Sequence, residues 1–191
     1  MTPELPEGLR YLPDFLSEEE ERMLADALSQ LAFQEIHMHG VVARRTVVHY
    51  GWNYGYESWS LTPAPPPPPF LESVRARCAA LAGLEPEALE EVLVSRYPPG
   101  ASIGWHRDAP MFGPCVLGVS LLGAARMRFR RKVGEGFQTV ALELAPRSAY
   151  VLAGAARSVW QHTLSPVKSL RYSLSFRTVR ASRAPLASPP G

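Results

Sequence analysis

The sequence predicts a mainly β fold of the α+β class, in which antiparallel strands form a sandwich or an open barrel and two N-terminal helices cover one face. Helical apolar spacing occurs only before residue 92, and short strand-like segments then follow at fairly even intervals between Gly and Pro turns. No helical pattern separates these segments, which disfavours a doubly wound parallel sheet. The strand-like segments lie at 92–97, 114–122, 126–131, 137–144, 148–154 and 171–179.

The composition is that of one ordinary globular domain. A chain of 191 residues with 46% hydrophobic content buries enough surface to fold without disulfides. We expect a single domain over residues 1–180, with its core from about residue 90. The segment 181–191 (ASRAPLASPPG) has the composition of a disordered tail.

The expected compartment and partners follow from sequence features that are missing. Its two cysteines, Cys78 and Cys115, have no C-x-x-C spacing, and neither a secretory leader nor a membrane-spanning apolar stretch is present. We therefore expect a cytoplasmic monomer with no membrane partner. The net charge of +2 is too small to indicate nucleic-acid binding by itself.

The N-terminal half combines two helices with a hairpin. Ser17 and Glu20 form a capping-box pattern at the start of the first helix. Strands at 33–38 and 43–50 are joined by a turn at Gly40. The other predicted features are a short strand ending at 12, apolar helix positions Met23, Leu24, Leu28 and Leu31, an extended proline run at 63–69, a second helix at 70–82 and a short helical piece at 86–91.

A His-x-Asp pattern is the first candidate site. On an extended chain, residues two apart point to the same side, so His106 and Asp108 can present an imidazole and a carboxylate to one point. A third ligand from a distant strand would complete a facial triad of two histidines and one carboxylate, which is typical of non-haem Fe(II) oxygenases. His162 is the only histidine further along the chain. The pattern alone is weak, and more often marks a surface histidine near an aspartate.

The segment 171–177 (RYSLSFR) alternates strictly. Its aromatic and aliphatic side chains share one face, which we expect to pack on the core. The opposite face carries Arg171, Ser173, Ser175 and Arg177. In solvent this face would belong to an ordinary amphipathic strand. Inside a barrel, its two guanidinium groups, separated by about 20 Å of strand, could each bind a carboxylate.

Taken together, these patterns resemble the AlkB family of Fe(II)/2-oxoglutarate dioxygenases. The resemblance includes His-x-Asp, a histidine some fifty residues later and R-x-S-x-S-x-R near the end of the domain. It extends to Tyr97-Pro98-Pro99-Gly100 and to the Arg44-Arg45-Thr46 strand followed by Tyr50-Gly51, over roughly residues 9 to 180. It implies a double-stranded β-helix core of the jelly-roll or cupin kind.

The resemblance also implies a cofactor set and the residues that hold it. The iron ligands would be His106, Asp108 and His162. The cosubstrate 2-oxoglutarate would be held through its distal carboxylate by Arg171 and Tyr97, with Ser173 on the same face. Arg177 would orient the carboxylate next to the metal. Ser95 stands where the family usually has asparagine, which shortens the reach of that hydrogen-bond donor.

The implied chemistry is oxidative. Fe(II), 2-oxoglutarate and O2 together oxidise a C–H bond of the substrate and release succinate and CO2. On an N-methyl group, the product would be a hemiaminal that sheds formaldehyde. AlkB relatives act on alkylated bases of DNA or RNA, on tRNA wobble bases and, in some branches, on proteins. An enzyme acting on bases has to extrude the target nucleotide and stack it between aromatic side chains.

An aromatic segment lies where the family has its substrate-recognition lid. Candidate substrate residues here and nearby are Arg44, Arg45, Tyr50, Trp52, Tyr54 and Trp105, with Tyr56 and Trp59 in the same segment. These aromatics suit stacking on bases, or equally packing beneath the proline run. We expect Trp105 and Trp160 to wall the pocket.

Two further groups of residues bear on the substrate and on metal binding. An arginine-rich hairpin edge suits phosphate contacts, or equally a solvated sheet face: Arg126, Arg128, Arg130, Arg131 and Lys132, with Met127 and Phe129 pointing the other way. His37, His39 and His49 are interpreted as surface or packed histidines. The sequence thus favours oxidative dealkylation of nucleic-acid bases. Two alternatives stay open, namely a protein or small-molecule substrate and a silent nucleic-acid-binding module.

Overall fold

The computed structural model of the chain describes residues 4–38 and 40–180, which form thirteen strands and three α-helices. The helices are α1 (Glu18–Ser29), α2 (Glu72–Ala82) and α3 (Gly154–Ser158). The strands are β1 (Leu9–Leu12), β2 (Gln34–Met38), β3 (Val41–Tyr50), β4 (Trp52–Gly55), β5 (Ser60–Pro63), β6 (Glu91–Tyr97), β7 (Ile103–His106), β8 (Phe112–Leu122), β9 (Ala125–Val133), β10 (Gly136–Leu144), β11 (Ala149–Leu152), β12 (Gln161–Leu164) and β13 (Arg171–Val179).

The strands form two main sheets in which all pairs are antiparallel. The major sheet has seven strands in the order β1-β11-β8-β13-β6-β3-β2, and the minor sheet has four in the order β10-β9-β12-β7. Strands β4 and β5 form a separate hairpin. Side chains from both main sheets line one cavity. This arrangement is a jelly roll, and the predicted fold class is confirmed.

Both longer helices share a hydrophobic core with the major sheet. Leu28 of α1 and Cys78 of α2 lie in the same buried cluster as Val94, Val119 and Leu174. These strand residues alternate with the side chains that face the cavity, because successive side chains of a strand point to opposite faces. The major sheet therefore has an apolar face toward the helices and a polar face toward the site.

The start of α1 follows its sequence signal. The Ser17 hydroxyl accepts a hydrogen bond from the Glu20 backbone N–H at 3.1 Å, and the Ser17 N–H donates to the Glu20 carboxylate at 2.7 Å. Leu24 and Leu28 are buried as predicted, but Met23 is 64% exposed. The prediction for Met23 was wrong, since Leu24 and Leu28, four residues apart, define the buried stripe and Met23 lies beside it.

Several short elements differ from the prediction. The helix expected at 70–82 begins at Glu72, because Pro69–Leu71 form a 3₁₀ turn, and the piece expected at 86–91 is only a 3₁₀ turn at Pro86–Ala88. The short elements α3, β7 and β12 were not predicted; each has four or five residues, too few for a periodic pattern to show. The predicted turn at Gly40 is present, with φ +78°.

No helix in 4–38 or 40–180 is long and apolar enough to cross a membrane. The expected tail at 181–191 and His39 lie outside the described residues.

Candidate metal and cosubstrate site

A cavity of about 340 Å³ lies between the two main sheets. The minor sheet and the segment after β7 contribute His106, Asp108 and His162, and β13 of the major sheet contributes Arg171 and Arg177. In the sequence these groups are up to about seventy residues apart. The closure of the two sheets brings them to opposite walls of one space.

His106, Asp108 and His162 form a compact cluster. Each offers one ligand atom, and these atoms all lie within 4.8 Å of one another. His106 and His162 are cross-strand partners in β7 and β12, with ring centroids 4.3 Å apart. Asp108 lies two residues after the end of β7, and its Oδ2 is 3.6 Å from Nε2 of His162. The antiparallel register therefore assembles the two imidazoles, and the following turn adds the carboxylate.

The two imidazoles are held in the neutral form that binds metals. His106 Nδ1 lies 2.8 Å from the Gly104 carbonyl oxygen, so an Nδ1–H donates to that carbonyl and leaves Nε2 free to act as a ligand. Burial lowers the pKa of His106. Burial, followed by repulsion from His106, lowers the pKa of His162 to about 3. Neither imidazole has to lose a proton at neutral pH before it can bind a cation.

Asp108 is kept ionised by an arginine on the facing sheet. Burial alone would raise the pKa of its carboxyl group, but attraction to Arg177 outweighs burial and holds that pKa well below its usual range. Nη2 of Arg177 donates to Asp108 Oδ1 at 2.7 Å, and Nη1 lies 3.2 Å from Oε2 of Glu91. Glu91 is fully buried opposite Arg177 on β6. The chain Glu91–Arg177–Asp108 orients one oxygen of the metal-facing carboxylate.

Arg171, at the other end of β13, has no such partner. Its side chain is only 2% exposed, and its Nη2 donates to the Ser120 hydroxyl at 2.9 Å. Its guanidinium carbon lies 5.0 Å from the centre of the Tyr97 ring, and its Nε has no hydrogen-bond partner. No ion pair joins Arg171 to a carboxylate anywhere in the described part of the chain. A buried guanidinium in this state has the chemistry to bind an anion from outside the chain.

A second arginine, Arg45, extends this basic end of the cavity. It is 9% exposed, and its Nη1 donates to the Ser95 hydroxyl at 3.2 Å. Ser95 faces Ser173 across the β6–β13 pair, and Tyr97 faces Arg171. All five side chains line the cavity. From the sequence, Arg45 was a candidate substrate residue; its neighbours are the candidate cosubstrate residues.

Arg157 is a contributor that the sequence analysis missed. From α3 its guanidinium donates to the carbonyl oxygens of Asp108 and Ala109 at 3.0 Å, and to those of Phe112 and Gly113 at 3.3 Å. These bonds hold the loop that carries Asp108. No sequence signal marks the role, because the acceptors are backbone carbonyls more than forty residues away. Glu91 was also missed, since an acidic residue at the start of a strand is unremarkable.

Some residues of the aromatic hairpin β4–β5, but not all, line one side of the cavity. Tyr54 packs edge-on against Phe112 at 5.8 Å between ring centres, and Trp59 lines the cavity while remaining 66% exposed. Of the candidate substrate residues, Arg45, Tyr54 and Trp105 line the cavity, and so does Tyr56. The others, Arg44, Tyr50 and Trp52, do not line it.

The remaining predicted residues lie elsewhere. Trp160 is buried in the core of the minor sheet and does not line the cavity, so it does not wall the pocket as expected. His37 is exposed beside Glu35, and the half-buried His49 lies 3.8 Å from Glu91. The exposure of His37 and the packing of His49 beside Glu91 agree with the interpretation of both as surface or packed histidines.

The residues present fit both groups that the motifs imply. Two neutral imidazoles and one ionised carboxylate within 4.8 Å are the donor set that a non-haem Fe(II) ion takes, with positions left for other ligands. The unpartnered Nε of buried Arg171, facing the same cavity, suits the carboxylate of a dicarboxylic acid.

Comparison with known families gives one match over nearly the whole chain. The family model of the 2OG-Fe(II) oxygenase superfamily matches residues 8–184. Among solved structures, that of OsALKBH1 superposes with a TM-score of 0.69 over 93% of this chain and 99% of that one. Sequence identity in this superposition is 16%, so the likeness shows the fold alone.

Among curated proteins, the similarity is to longer ALKBH8-type sequences. The chain is 28% identical over 176 residues to the tRNA (carboxymethyluridine(34)-5-O)-methyltransferase alkbh8 of Xenopus tropicalis, which covers 88% of this chain and 27% of that protein. It is 29% identical over 208 residues to the alkylated DNA repair protein ALKBH8 homolog of Arabidopsis thaliana, covering 91% of this chain and 58% of that protein. The chain thus spans only part of the length of these relatives.

Proposed function

The chain belongs to the 2OG-Fe(II) oxygenase superfamily, and we propose that this AlkB-like dioxygenase removes alkyl groups oxidatively from nucleic-acid bases. One observation carries the proposal: a complete triad of metal-binding groups shares a cavity with a buried, carboxylate-free arginine. The cofactors of the family are Fe(II), 2-oxoglutarate and O2. When bound, they supply a C–H oxidation coupled to the conversion of 2-oxoglutarate to succinate and CO2.

In this proposal, His106, Asp108 and His162 hold the iron. The Gly104 carbonyl fixes the tautomer of His106, and Arg177 fixes the orientation of Asp108. Arg157 keeps the backbone of Asp108 in place through its carbonyl. Such outer partners contribute to metal affinity because they hold ligands in position before the metal arrives.

Arg171 binds the distal carboxylate of 2-oxoglutarate in this proposal. Tyr97 stacks beneath its guanidinium group, and Ser120 holds one of its nitrogens. Ser95 replaces an asparagine of the family pattern, and Arg45 supports it with a hydrogen bond of 3.2 Å. The guanidinium of Arg45 can donate where the shorter serine side chain cannot reach.

The substrate assignment rests on the relatives and on the cavity entrance. Relatives of this chain are named for tRNA modification and for repair of alkylated DNA. Tyr54, Tyr56 and the exposed Trp59 line the cavity on the side of the β4–β5 hairpin. Aromatic rings at an entrance can stack on an extruded base and keep water from the reacting carbon.

We further propose that residues 1–180 form a single catalytic domain that acts as a monomer.

The first experiment tests the cofactor site. Anaerobic titration of the Fe(II)-loaded protein with 2-oxoglutarate should give the weak visible metal-to-ligand charge-transfer band. His106→Ala should abolish the band. In Arg171→Leu the band should appear only at a much higher concentration of 2-oxoglutarate. Absence of the band in folded, iron-loaded wild type would refute the proposed site.

The second experiment tests the substrate. Single-stranded DNA, single-stranded RNA and tRNA, each with and without N-methylated bases, are compared as stimulators of succinate release, with formaldehyde measured in parallel. We expect both products with a methylated nucleic acid and neither with the unmethylated control or with His162→Ala. If only peptides or metabolites stimulate succinate release, the substrate assignment is wrong. Binding of nucleic acid without turnover would indicate a silent binding module.

A further inference from the structure

The outer face of the minor sheet carries an unusual group of side chains. We define this outer face by Trp105 on β7, Arg128, Arg130 and Lys132 on β9, and Phe137 on β10. Met127 and Phe129, which alternate with the cations, are buried in the inner core. Arg131 belongs to the inner side, where it lies over the Trp160 ring at 5.0 Å. The sequence left the hairpin open between a phosphate surface and a solvated sheet face.

Arg130 joins two aromatic rings across this face. Its guanidinium carbon lies 4.4 Å from the centre of the Trp105 ring and 4.6 Å from that of Phe137. Arg128 lies over the same Trp105 ring at 5.5 Å. The Nε of Arg130 donates to the Gln161 side chain at 2.8 Å, which fixes the guanidinium in this position. The result is an ordered arrangement of planar groups rather than a set of independent surface arginines.

Three cations of the outer face, Arg128, Arg130 and Lys132, form no ion pair within the described residues. At the far end of β9, Arg126 has a carboxylate partner, Glu143 at 3.6 Å. Phe137 is 56% exposed, although aromatic side chains normally gain from burial. Exposed rings among unpaired cations are suited to a partner that carries both anionic and planar aromatic groups.

The outer face is continuous with the proposed active site. Trp105 lines the cavity and precedes His106, while Gln161, which holds Arg130, precedes His162. A strand whose target base enters the cavity has flanking nucleotides that must leave its entrance along a neighbouring surface. Because the outer face begins at Trp105, it lies next to this path.

We infer that the outer face binds the nucleotides that flank the target base of a single-stranded nucleic acid. Arg128 and Lys132 contact phosphates, and Phe137 and the Arg130–Trp105 pair provide stacking surfaces for bases. This inference rests on the proposed function, because it takes nucleic acid as the substrate. It adds a second binding surface, outside the cavity, that makes a strand a better substrate than an isolated nucleoside.

Binding to a short, unmodified, fluorescently labelled single-stranded RNA tests the inference, with fluorescence anisotropy measured over a range of salt concentrations. The variant Arg128→Gln/Lys132→Gln removes two cations without touching the Arg130–Gln161 bond. Arg22→Gln/Lys168→Gln removes two exposed cations outside the minor sheet and serves as the charge-matched control. Phe137→Ala is compared with Met23→Ala, since both side chains are more than half exposed and their loss leaves the core intact.

The outer-face double variant should bind more weakly than wild type, and its plot of log affinity against log salt should be shallower by about 1.4, because each phosphate contact on a single strand contributes about 0.7. Phe137→Ala should weaken binding about tenfold, the loss typical of one stacked base. Both control variants should bind like wild type. Turnover of a methylated mononucleoside should be unchanged in all four variants, while KM for the methylated strand rises in the two outer-face variants.

Equal losses in the outer-face and control variants would overturn the inference, as would absence of RNA binding to wild type. Competition by an acidic peptide as strong as that by unlabelled RNA would overturn the choice of nucleic acid as partner. Failure of the proposed function is distinguishable from these outcomes. In that case, RNA binding would still depend on the outer face, but no methylated base would be oxidised. The outer face would then be a binding surface without the proposed activity.

Discussion

The two ends of strand β13 carry the same residue type in different electrostatic states. Arg177 lies between two buried carboxylates, Glu91 and Asp108, at 3.2 and 2.7 Å. Arg171, six residues earlier on the same face, is more deeply buried; it contacts the Ser120 hydroxyl and the Tyr97 ring but has no carboxylate partner within the described residues. Burial of a guanidinium without a carboxylate costs several kcal/mol, as expected for a charge taken out of water.

We propose that this difference separates an arginine that positions a metal ligand from one that binds the cosubstrate. Because Arg177 is paired with two carboxylates of the chain, we expect its removal to affect the charge and position of Asp108. Because Arg171 has no carboxylate partner within the described residues, we propose that its removal affects an anion that enters from outside. In this proposal the two arginines of the R-x-S-x-S-x-R pattern have different functions.

The largest effect is expected from Asp108→Asn. The amide removes the anionic ligand from the metal cluster and leaves Arg177 with Glu91 alone. Iron affinity should fall by more than the 10- to 100-fold that is typical when an outer-shell partner is lost, and succinate formation should disappear. Iron content after gel filtration and the charge-transfer band measure the loss. Glu143→Gln on the exposed end of β10 is the control, and wild-type iron content in Asp108→Asn would contradict the assigned ligand.

At the other end of the strand, Arg171→Leu should raise KM for 2-oxoglutarate by roughly 100-fold, because truncating one member of a buried charge pair costs 2–5 kcal/mol or more. Iron binding without 2-oxoglutarate should be unchanged, since Arg171 does not contact the metal cluster. Steady-state kinetics and iron content separate the two effects.

Arg171→Lys provides the matched test of geometry. Lysine keeps the positive charge but loses the planar pair of donors, so KM should lie between those of the wild type and Arg171→Leu. A KM for Arg171→Leu within threefold of the wild-type value would show that the cosubstrate carboxylate binds elsewhere, with Arg45 as the next candidate.

The comparison also shows what sequence patterns can and cannot predict. Strict alternation in 171–177 placed Arg171 and Arg177 on one face, and the register of β13 agrees. The same alternation could not show whether this face is exposed to solvent or lines a cavity, because a polar face has the same sequence pattern in both places. Only the closure of the two sheets, a long-range property, made that face interior.

Local signals and tertiary contacts differ in the same way elsewhere in the chain. The Ser17–Glu20 capping box is a four-residue interaction, and it was predicted from spacing alone. Arg157 holds the loop at 108–113 through hydrogen bonds to backbone carbonyl groups. Because every residue has a carbonyl group, no residue type in the sequence indicates these bonds. Residue chemistry pointed to the candidate ligands, and the parts that hold them in place required the structure.

A smaller effect is expected at the Arg177 end of the strand from Glu91→Gln. The amide oxygen can still accept a hydrogen bond from Arg177 but carries no charge. We expect the free energy of unfolding to fall by about 2 kcal/mol, below the 3–5 kcal/mol for complete loss of a buried partner. KM for 2-oxoglutarate should stay near the wild-type value. Urea unfolding and steady-state kinetics measure the two quantities, and a rise in KM without loss of stability would reverse the roles assigned to the two arginines.

The smallest effect concerns the metal cluster in chelator-treated protein. His162 has a folded-state pKa of about 3, whereas the value for an unperturbed histidine is 6.5. Between these pH values the unfolded chain binds a proton on this imidazole that the folded chain does not. The free energy of unfolding therefore decreases as pH falls below 6.5, with a slope from this group that approaches about 1.4 kcal/mol per pH unit.

Urea unfolding of the metal-free protein between pH 7 and about pH 4.5 measures this slope. His162→Gln should make the profile shallower but not flat, because it removes one of the two buried imidazoles whose proton uptake differs between the folded and unfolded states. His37→Gln, at an exposed histidine outside the cavity, should leave the wild-type slope unchanged. A wild-type profile as shallow as that of His162→Gln would mean that the folded protein protonates this imidazole as readily as the unfolded chain does. The cluster would then have to release protons before it could bind iron, and the preformed neutral site inferred from the burial of both imidazoles would be wrong.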